Sequence, residues 1–370
     1  MKKKIGIVTW KGWGNFGTSL QSYALHKKLE NLGYNAYFID YFPSNLNLRY
    51  SLRFVIKRIY SILGIDIFRN RRRLNYKCFR KFNQEYYNTV YIYNNQVYQQ
   101  LLNSTDVFVT GSDQIWNAWH EYNPFYFLNF VIKQKKVAYA SSMGTSNFPD
   151  KYVLEISKHL SQFQHIGVRE KSSVNYLNTL LNRNDIINVL DPTFLLTPIE
   201  WSELSQETCC SISLKSPYIF CYLIGQNENY IKQLEIIQTK TRIERIIIIP
   251  AAENPDFVVH NAEVANNIGP KEFIWLLMNA AYVCTDSFHA TALSINFSKD
   301  FVEFLRFTDK DPKSQNSRIY DLLEHYALSY KLYSSTDDRW LKTVDYSKVN
   351  QILSADREAS LKYLINSIEL

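Results

Sequence analysis

Short apolar runs alternate along the chain with segments whose apolar positions recur at helical spacing. The runs cover 5–9, 34–40, 107–110, 136–140, 165–168 and 187–190 in the first half, and 218–223, 245–250, 263–267, 281–285 and 301–304 in the second. Helical spacing is found at 18–32, 228–240, 270–280 and 287–297. Strands that alternate with helices are typical of parallel sheets. The pattern therefore predicts an α/β protein with doubly wound, Rossmann-like sheets.

A polar stretch near 197–216 interrupts this alternation. The chain has 370 residues, more than one hydrophobic core usually supports. We therefore predict two Rossmann-like domains that face a cleft, at 1–197 and 198–350, followed by a C-terminal helix at 351–370. Ligands of such sheets bind beyond the carboxyl ends of the strands, so the loops that follow the predicted strands are the candidate sites.

Positive charge concentrates in the segment 49–81, part of a basic insertion at about 45–100. This segment has 11 Lys and Arg residues and one acid, Asp66, in a chain of net charge +7. Interleaved apolar residues favour one or two amphipathic helices on an anionic membrane face. A polyanionic substrate, or a solvated helix without a partner, explains the same pattern. No nucleic-acid recognition motif accompanies it, and we expect no nucleic-acid partner.

The five cysteines show neither metal-ligand spacing nor an even number, so we expect a reduced, cytoplasmic protein without a metal site. The first apolar run is interrupted too early for a signal peptide and predicts a buried strand. No run of about 18 uncharged apolar residues is present. Peripheral contact with the inner membrane face through 49–81 is compatible with this location.

Residues 285–294 (Thr-Asp-Ser-Phe-His-Ala-Thr-Ala-Leu-Ser) join a predicted strand to a predicted helix. Asp286 or Ser287 is a suitable N-cap for this helix. Its first N–H groups, beside Ser287, His289 and Thr291, then form a site that suits a phosphate. The alternative is that Asp286 and Ser287 only cap the helix and that His289 is a buried core histidine.

Two loops of the first half carry polar groups at the end of a predicted strand. Residues 10–18 include three glycines, which allow a ligand to approach the backbone, but they match neither a Walker loop nor a dinucleotide fingerprint. Residues 110–117 (Thr-Gly-Ser-Asp-Gln-Ile-Trp-Asn) combine a carboxylate, amides and an indole. This set suits the hydroxyls and the apolar face of a sugar, while a turn stabilised by side-chain caps is the alternative.

Two further loops, at 141–145 and 168–173, complete a ring around the predicted cleft. Arg169 directly follows an apolar run, where a guanidinium can bind a carboxylate or phosphate of a ligand. Its partner is otherwise Glu170 or Asp191 in a structural ion pair. Asp191, at the end of the last run of this half, is either a substrate contact or a loop anchor.

Taken together, these motifs resemble those of the polysaccharide pyruvyl transferase family. The matching segments follow one order along the chain: 15–17 with 20–25, 111–117, 168–172, 191–193, 285–291 and 316–319. The resemblance implies a two-domain fold of the GT-B type and no metal or other cofactor. It implies transfer of the pyruvyl group of phosphoenolpyruvate onto a sugar, as a cyclic ketal, with release of phosphate.

The resemblance also implies roles for particular side chains. His289 is expected to be the general acid that protonates the enol, or else the phosphate partner, and Asp113 is expected to be the base. The side chains expected to bind the donor are Ser287, Thr291, Arg169, Lys271 and Arg318. Those expected to bind the acceptor are Asn15, Gly17, Gln21, Ser112, Gln114, Trp116, Asn117 and Thr145.

Other functions fit the same architecture. In a nucleotide-sugar glycosyltransferase, Ser287, His289 and Thr291 would hold a diphosphate, and a nucleotide sugar would then raise the melting temperature. A sugar-binding module held at the membrane by the basic segment would use neither donor. For a pyruvyl transferase, the expected acceptor is a sugar of a bacterial surface polysaccharide or of its lipid-linked precursor.

Overall fold

Apolar runs of the first half form one parallel sheet. The computed structural model describes residues 2–12, 14–41, 75–206, 208, 212–254, 256–309 and 314–370. The strands of this sheet are β1 (Lys4–Val8), β2 (Asn35–Tyr41), β3 (Thr89–Ile92), β4 (Val107–Thr110), β5 (Lys135–Ser141), β6 (His165–Val168) and β7 (Ile187–Asn188). Their spatial order is β3-β2-β1-β4-β5-β6-β7. At the centre, Ile7 of β1 lies opposite Phe38 of β2 and Val109 of β4.

Apolar runs of the second half form another parallel sheet. Its strands are β8 (Tyr218–Tyr222), β9 (Arg245–Ile248), β10 (Glu263–Val264), β11 (Tyr282–Thr285) and β12 (Phe301–Glu303). Their order is β10-β9-β8-β11-β12. Cys221 on β8 lies opposite Ile248 on β9 and Cys284 on β11. In both sheets the strand order reverses beside the first strand, which is the doubly wound arrangement that places ligands at the carboxyl edge.

Helices connect the parallel strands, as the alternating pattern predicts. In chain order the described α-helices are α1 (Phe16–Asn31), α2 (Tyr76–Tyr86), α3 (Asn95–Ser104), α4 (Asp150–Leu160), α5 (Lys171–Leu181), α6 (Pro198–Ser205), α7 (Tyr230–Thr241), α8 (Pro270–Asn279), α9 (Phe288–Asn296), α10 (Ser317–His325) and α11 (Tyr346–Glu369). The predicted fold class, two Rossmann-like doubly wound units, is confirmed.

The change from one sheet to the other falls in α6, where the polar stretch begins. Thr197 and Glu200 form a capping box at the start of this helix. Trp201 packs against Tyr23 of α1, and its indole N–H donates to the carbonyl of Thr193 at 3.0 Å. The domain limits at 197 and 350 stay a prediction.

The long helix α11 returns from the second unit to the first. Its early side chains Val349 and Leu353 pack in the core around the second sheet, whereas Leu364 and Ile368 pack on the first sheet. The C-terminal helix was expected from 351 and begins five residues earlier, at Tyr346. One helix thus ties together the outer faces of both units.

The start of α1 is embedded in the second unit. Phe16 stacks on Phe273 of α8, with ring centroids 4.7 Å apart, and meets Tyr222 of β8 edge-on. All three rings are buried in the same core. Burial of rings of this size contributes a few kcal/mol each, so the α1 N-terminus is held firmly against the second sheet.

Most of the basic segment 49–81 lies outside the described residues. Its last part is α2, in which Phe79 and Phe82 are buried while Lys77, Arg80 and Lys81 are exposed. The membrane-contact prediction for 49–74 therefore stays a prediction. In the described part of the chain, none of the helices combines the length and the apolar character needed to cross a bilayer.

Candidate active site

Arg169 lies at the centre of a buried polar cluster at the carboxyl edge of the first sheet. It directly follows β6, and its side chain is 2% exposed. Nε donates to Glu170 Oε1 at 2.9 Å and Nη1 to Asp191 Oδ2 at 3.2 Å, while Asp113 Oδ1 lies 4.0 Å from Nη1. Arg169 thus pairs with both Glu170 and Asp191, which the sequence analysis gave as its alternative structural partners. Among the described residues, Nη2 is buried without a hydrogen-bond partner, which leaves a donor for a ligand.

Asp191 holds this cluster together through four hydrogen bonds. Its Oδ1 accepts from the amide and the hydroxyl of Thr193 at 3.0 and 2.8 Å, and its Oδ2 accepts from the hydroxyl of Ser112 at 3.0 Å. Burial alone would raise the pKa of Asp191. The neighbouring His289 ring, Arg169 and the Thr193 amide outweigh burial and hold this pKa below its usual range. Asp191 is therefore a fixed negative charge.

His289 faces this charge from the first turn of α9. Its Nε2 lies 3.6 Å from Asp191 Oδ2, an ion-pair distance that is longer than a hydrogen bond. The side chain is 10% exposed. On another side, the ring packs directly against the start of α1, because a Cβ placed on Gly17 would lie 2.2 Å from Nδ1. Gly17, expected to contact the acceptor, instead makes room for the imidazole.

Arg318 brings a second buried guanidinium to the cluster from α10. Nε donates to the carbonyl of Gln315 at 3.2 Å and Nη2 to its Oε1 at 2.8 Å, but none of the described carboxylates forms an ion pair with Arg318. Burial first, and then repulsion by Arg169 and Arg306, lowers the pKa of Arg318 to about 9. A buried cation without an anion is an incomplete site, because charges of this kind are normally paired.

Phe288 lies beside both buried arginines. The guanidinium carbon of Arg169 lies 4.2 Å from the centre of its ring, and that of Arg318 lies 5.8 Å away. A cleft with about 680 Å³ of empty space, which includes open solvent, opens beside them and is lined in part by Arg169, Asp191, Phe288 and Arg318. His289 does not belong to this wall. A ligand anion in the cleft can reach Arg318.

Arg306 was missed by the sequence reasoning. It follows β12, is half-buried, and sits against the loop after β8, since its Cγ is 3.1 Å from a Cβ placed on Gly225. Its charge contributes to the lowered pKa of Arg318. The signal was available: Arg306 comes three residues after the end of β12, in the loop at the carboxyl edge of the sheet.

Asp113 lies on the other side of Arg169, in the loop after β4. Its Oδ2 accepts from the hydroxyl of Thr18 in α1 at 2.7 Å, and its Oδ1 accepts from the amide of Gln114 at 2.8 Å. The residue is 4% exposed. Its backbone has a φ of 67°, a left-handed conformation that Asp tolerates better than most residues. The predicted acid and the predicted base therefore share one cluster.

Two side-chain amides adjoin this cluster, those of Gln114 and the buried Asn117. Gln114 Nε2 donates to Gln315 Oε1 at 3.0 Å, and Asn117 Nδ2 donates to Gln114 Oε1 at 2.9 Å. Gly144 closes over them, because a Cβ there would lie 2.2 Å from Gln114 Oε1. Gln315 also accepts from Arg318. The predicted acceptor loop is thus linked through one amide to the predicted donor side.

Several predicted contacts lie elsewhere. Trp116 is fully buried and stacks on Phe127 with ring centroids 5.5 Å apart, so it is a core residue rather than a sugar contact. Gln21 is also fully buried and donates to the carbonyls of Trp10 and Thr18. Lys271 pairs with Glu85 of α2 at 2.8 Å, away from the cluster.

The remaining predicted contacts lie near the surface of the loops. Asn15 caps α1 by accepting from the amide of Thr18 at 3.1 Å, and its Nδ2 donates to Glu253 Oε1 at 3.4 Å. Thr145 is half-buried, and its hydroxyl donates to the carbonyl of Asn147 at 3.1 Å. Asn15 thus contacts the second unit, whereas the hydroxyl of Thr145 bonds within its own loop.

The helix start at α9 differs in part from its prediction. Ser287 is the N-cap, although its side chain makes no capping hydrogen bond in the described structure. Asp286 instead holds the loop after β8, accepting from the amides of Ile224 and Gly225 at 2.7 Å each. Thr291 is fully buried and donates to Glu303, so it faces away from any ligand. The first N–H groups of α9 have no intrahelical partner and remain suited to an anion.

Glu303 is a second group that the sequence reasoning missed. It ends β12 and is completely buried, with Oε1 lacking a hydrogen-bond partner among the described residues. Burial raises the pKa of Glu303 well above its ordinary value of 4.5. This carboxyl group lies beneath the first turn of α9, where it accepts from the hydroxyl of Thr291. The described residues contain no group of three or more His, Cys, Asp or Glu side chains arranged to hold a metal ion.

Comparisons with known proteins agree with this architecture. The family model for polysaccharide pyruvyl transferases matches residues 15–305. A search of curated proteins finds no match. Among solved structures, Arabidopsis thaliana UGT89C1 complexed with UDP-L-rhamnose is 10% identical, with a TM-score of 0.54 and coverage of 100% of this chain and 98% of that one. The UDP-GlcNAc 2-epimerase from Neisseria meningitidis bound to UDP-GlcNAc is 12% identical, with a TM-score of 0.48 and coverage of 98% and 100%. The fold is of the GT-B type.

Proposed function

This chain belongs to the polysaccharide pyruvyl transferase family, and on that premise we propose that it moves the pyruvyl group of phosphoenolpyruvate onto a sugar. Two hydroxyls of the sugar become the two ether oxygens of a cyclic ketal, and inorganic phosphate leaves. The acceptor is a sugar of a bacterial surface polysaccharide or of its lipid-linked precursor. No cofactor takes part.

The observation that carries this proposal is the buried Arg318, for which none of the described carboxylates provides an ion pair. Phosphoenolpyruvate carries two anionic groups, a carboxylate and a phosphate. Arg318 and the spare Nη2 of Arg169 supply donors for one of them. Arg306 and the first turn of α9 supply positive charge for the other. The carboxylate and phosphate of the donor would thus supply the anions that pair with these positive charges.

The reaction needs a proton at the methylene carbon of the donor. His289 supplies it as a general acid, with its Nε2 lying 3.6 Å from the carboxylate of Asp191. Protonation makes the central carbon electrophilic, and the first sugar hydroxyl adds there. Loss of phosphate then forms an oxocarbenium ion, which the second hydroxyl attacks. Each hydroxyl releases one proton: one replaces the proton that His289 gave, and the other leaves with phosphate.

Asp113 receives the first of these protons. It shares the cluster with Arg169 and lies in the same loop as Gln114 and Asn117. The hydrogen bond from Thr18 fixes the orientation of its carboxylate. Gln114 and Asn117 offer amide groups to the sugar hydroxyls, which is how polar side chains orient a carbohydrate without charge.

Glycosyl transfer from a nucleotide sugar is the second candidate. It is favoured by the GT-B fold and by UGT89C1, a protein of this fold whose structure contains UDP-L-rhamnose. At 10% identity that similarity extends to the fold alone. Thermal denaturation separates the two candidates: phosphoenolpyruvate raises the melting temperature of a pyruvyl transferase, whereas a nucleotide sugar raises that of a glycosyltransferase.

Variants of two arginines in the second unit, one buried and one exposed, test the donor site. Arg318→Ala removes the unpaired cation, and we expect the KM for phosphoenolpyruvate to rise by at least about 30-fold in a phosphate-release assay. Arg339→Gln is the matched control, because that side chain is 78% exposed and pairs with Asp337. An unchanged KM in Arg318→Ala would refute this placement of the donor.

A further inference from the structure

The cleft beside Arg318 is a groove between helices of both units. One face of α10 forms a wall of it, with residues at the helical spacing i, i+3, i+4 and i+7: Arg318, Asp321, Leu322 and His325. Asp356 and Ala359 of α11 and Lys171 at the start of α5 line it from other sides. Arg318 is 3% exposed, and the His325 side chain is 41% exposed. The guanidinium therefore lies at the inner end of the groove and the imidazole nearer its mouth.

Arg318 keeps one donor group unused at this inner end. Its Nε and Nη2 donate to Gln315, whereas Nη1 has no hydrogen-bond partner in the part of the chain that the structure describes. Arg169, the other buried guanidinium that lines the cleft, already contacts Glu170 and Asp191. An arginine with a free N–H group binds a planar anion such as a carboxylate well. The cleft thus ends at a place for one negative group of a ligand.

The charges of the cleft favour a ligand group with one negative charge over a group with two. Its acidic lining residues outnumber its lysine and arginines: Glu170, Asp191, Asp321 and Asp356. At neutral pH a phosphate monoester carries about 1.5 to 2 negative charges, whereas a carboxylate carries only one. Repulsion by these acidic side chains is therefore greater for the phosphate of phosphoenolpyruvate than for its carboxylate.

The place proposed for the other negative group lies next to the cleft but outside it. Phe288 is the first residue of α9, and it lines the cleft. His289, the next residue, and Arg306 are not among the lining residues. Consecutive Cα atoms are about 3.8 Å apart. A molecule as small as phosphoenolpyruvate can therefore reach the cleft with one end and the first turn of α9 with the other.

From these observations we propose that the cleft between α5, α10 and α11 binds the carboxylate of the donor, on Arg318, while the phosphate faces the first turn of α9. The inference rests on the proposed function, since it takes phosphoenolpyruvate as the donor. The carboxylate stays on the sugar as part of the ketal, whereas the phosphate leaves. Arg318 thus holds the group that is retained through the reaction, and the open cleft is the side from which the donor enters.

Separate binding of the two halves of the donor tests this orientation without the reaction. Pyruvate carries the carboxylate, and inorganic phosphate represents the other half. Nuclear magnetic resonance titrations follow weak binding of pyruvate through its methyl protons and of phosphate through its phosphorus signal. We expect Arg318→Ala to weaken pyruvate binding by at least about tenfold, because a hydrogen-bonded charge pair is lost. Phosphate binding should change much less.

Two alanines one turn apart on α11 provide a matched steric test. Ala355 and Ala359 are both exposed, but of the two only Ala359 lines the cleft. Ala359→Trp places an indole in the cleft and should weaken pyruvate binding by at least about tenfold, with little effect on phosphate. Ala355→Trp makes the same change in size outside the cleft and should alter neither affinity. Thermal melting of each variant confirms that it is folded.

The proposal is overturned if Ala359→Trp binds pyruvate as tightly as the wild type, or if Arg318→Ala loses phosphate binding and keeps pyruvate binding. It is also overturned if the wild type binds no pyruvate. The titrations involve no transfer to a sugar, so their result is independent of the proposed reaction. A protein that binds pyruvate in the cleft but releases no phosphate from phosphoenolpyruvate contradicts only the pyruvyl-transfer proposal.

Discussion

Gly17→Ala tests whether the position of the His289 ring governs the reaction. Gly17 lies in the first turn of α1. Replacing Gly with Ala inside a helix normally stabilises the protein by about 0.5–1 kcal/mol. Here the added Cβ would lie 2.2 Å from Nδ1 and 2.7 Å from Cγ of His289, whereas ordinary contacts begin near 3.4 Å. The ring must therefore move by at least about 1.2 Å. Phe16 holds α1 against the second sheet, so the helix cannot yield easily.

We expect the displaced ring to lose its alignment with Asp191 and the donor while the fold persists. A misplacement of about 1 Å costs about 100-fold in rate. Sugar-dependent phosphate release measures the rate, and thermal melting reports whether the variant is folded. Lys27→Ala, a half-buried position later in α1, is the control that should keep the wild-type rate. His289→Ala, which lacks the proposed general acid, gives the background rate of phosphate release in this assay. A folded Gly17→Ala protein at the wild-type rate would refute the reasoning.

Three other changes follow from the buried groups. Burial raises the pKa of Glu303 above its ordinary value of 4.5, so the native state binds this proton more tightly than the unfolded chain does, and wild-type stability should fall as the pH rises above about 4.5. Glu303→Gln has no group that titrates at this position, so its free energy of unfolding, measured by urea denaturation, should depend less on pH than that of the wild type. An equal pH dependence in the two proteins would contradict the burial argument. Asp191→Asn should cost about 3 kcal/mol at neutral pH, since it leaves Arg169 with one close partner fewer. Folding lowers the pKa of Asp191, so the difference in free energy of unfolding between the wild type and Asp191→Asn should have its full size above about pH 4 and become smaller at lower pH. If this difference does not become smaller at low pH, the Asp191 charge is not its source. Trp116→Ala removes a fully buried indole and should lower the free energy of unfolding by about 3–5 kcal/mol, whereas Trp119→Ala removes a partly exposed one and should lower it by less than about 1 kcal/mol. Similar losses in the two variants would mean that the two indoles are not buried as described.

Strands and their loops were well predicted because buried parallel strands are short and continuously apolar. The runs at 107–110 and 165–168 match β4 and β6 residue for residue. The edge strand β3 was missed; only Ile92 of its four residues is buried. Residues that directly follow a strand, such as Arg169, were placed correctly at the carboxyl edge for the same topological reason.

Side-chain direction could not be predicted to the same extent. Sequence order suggested Trp116 as the sugar contact, but the turn after β4 sends this indole into the core and exposes Trp119 instead. Lys271 begins a helix, as expected, yet α2 supplies Glu85 as its partner from a distant part of the chain. The pairing of Gly17 with His289 likewise joins two units, and no local pattern encodes such a contact.

The most direct measurement is to incubate the purified protein with phosphoenolpyruvate and the sugar panel and to follow both phosphate and the modified sugar. The account predicts phosphate release only when a suitable sugar is present, in equal amount to a sugar product that carries a pyruvate ketal. Phosphate release without ketal would contradict the proposed transfer. No release with any sugar, together with thermal stabilisation by a nucleotide sugar, would assign the protein to glycosyl transfer instead.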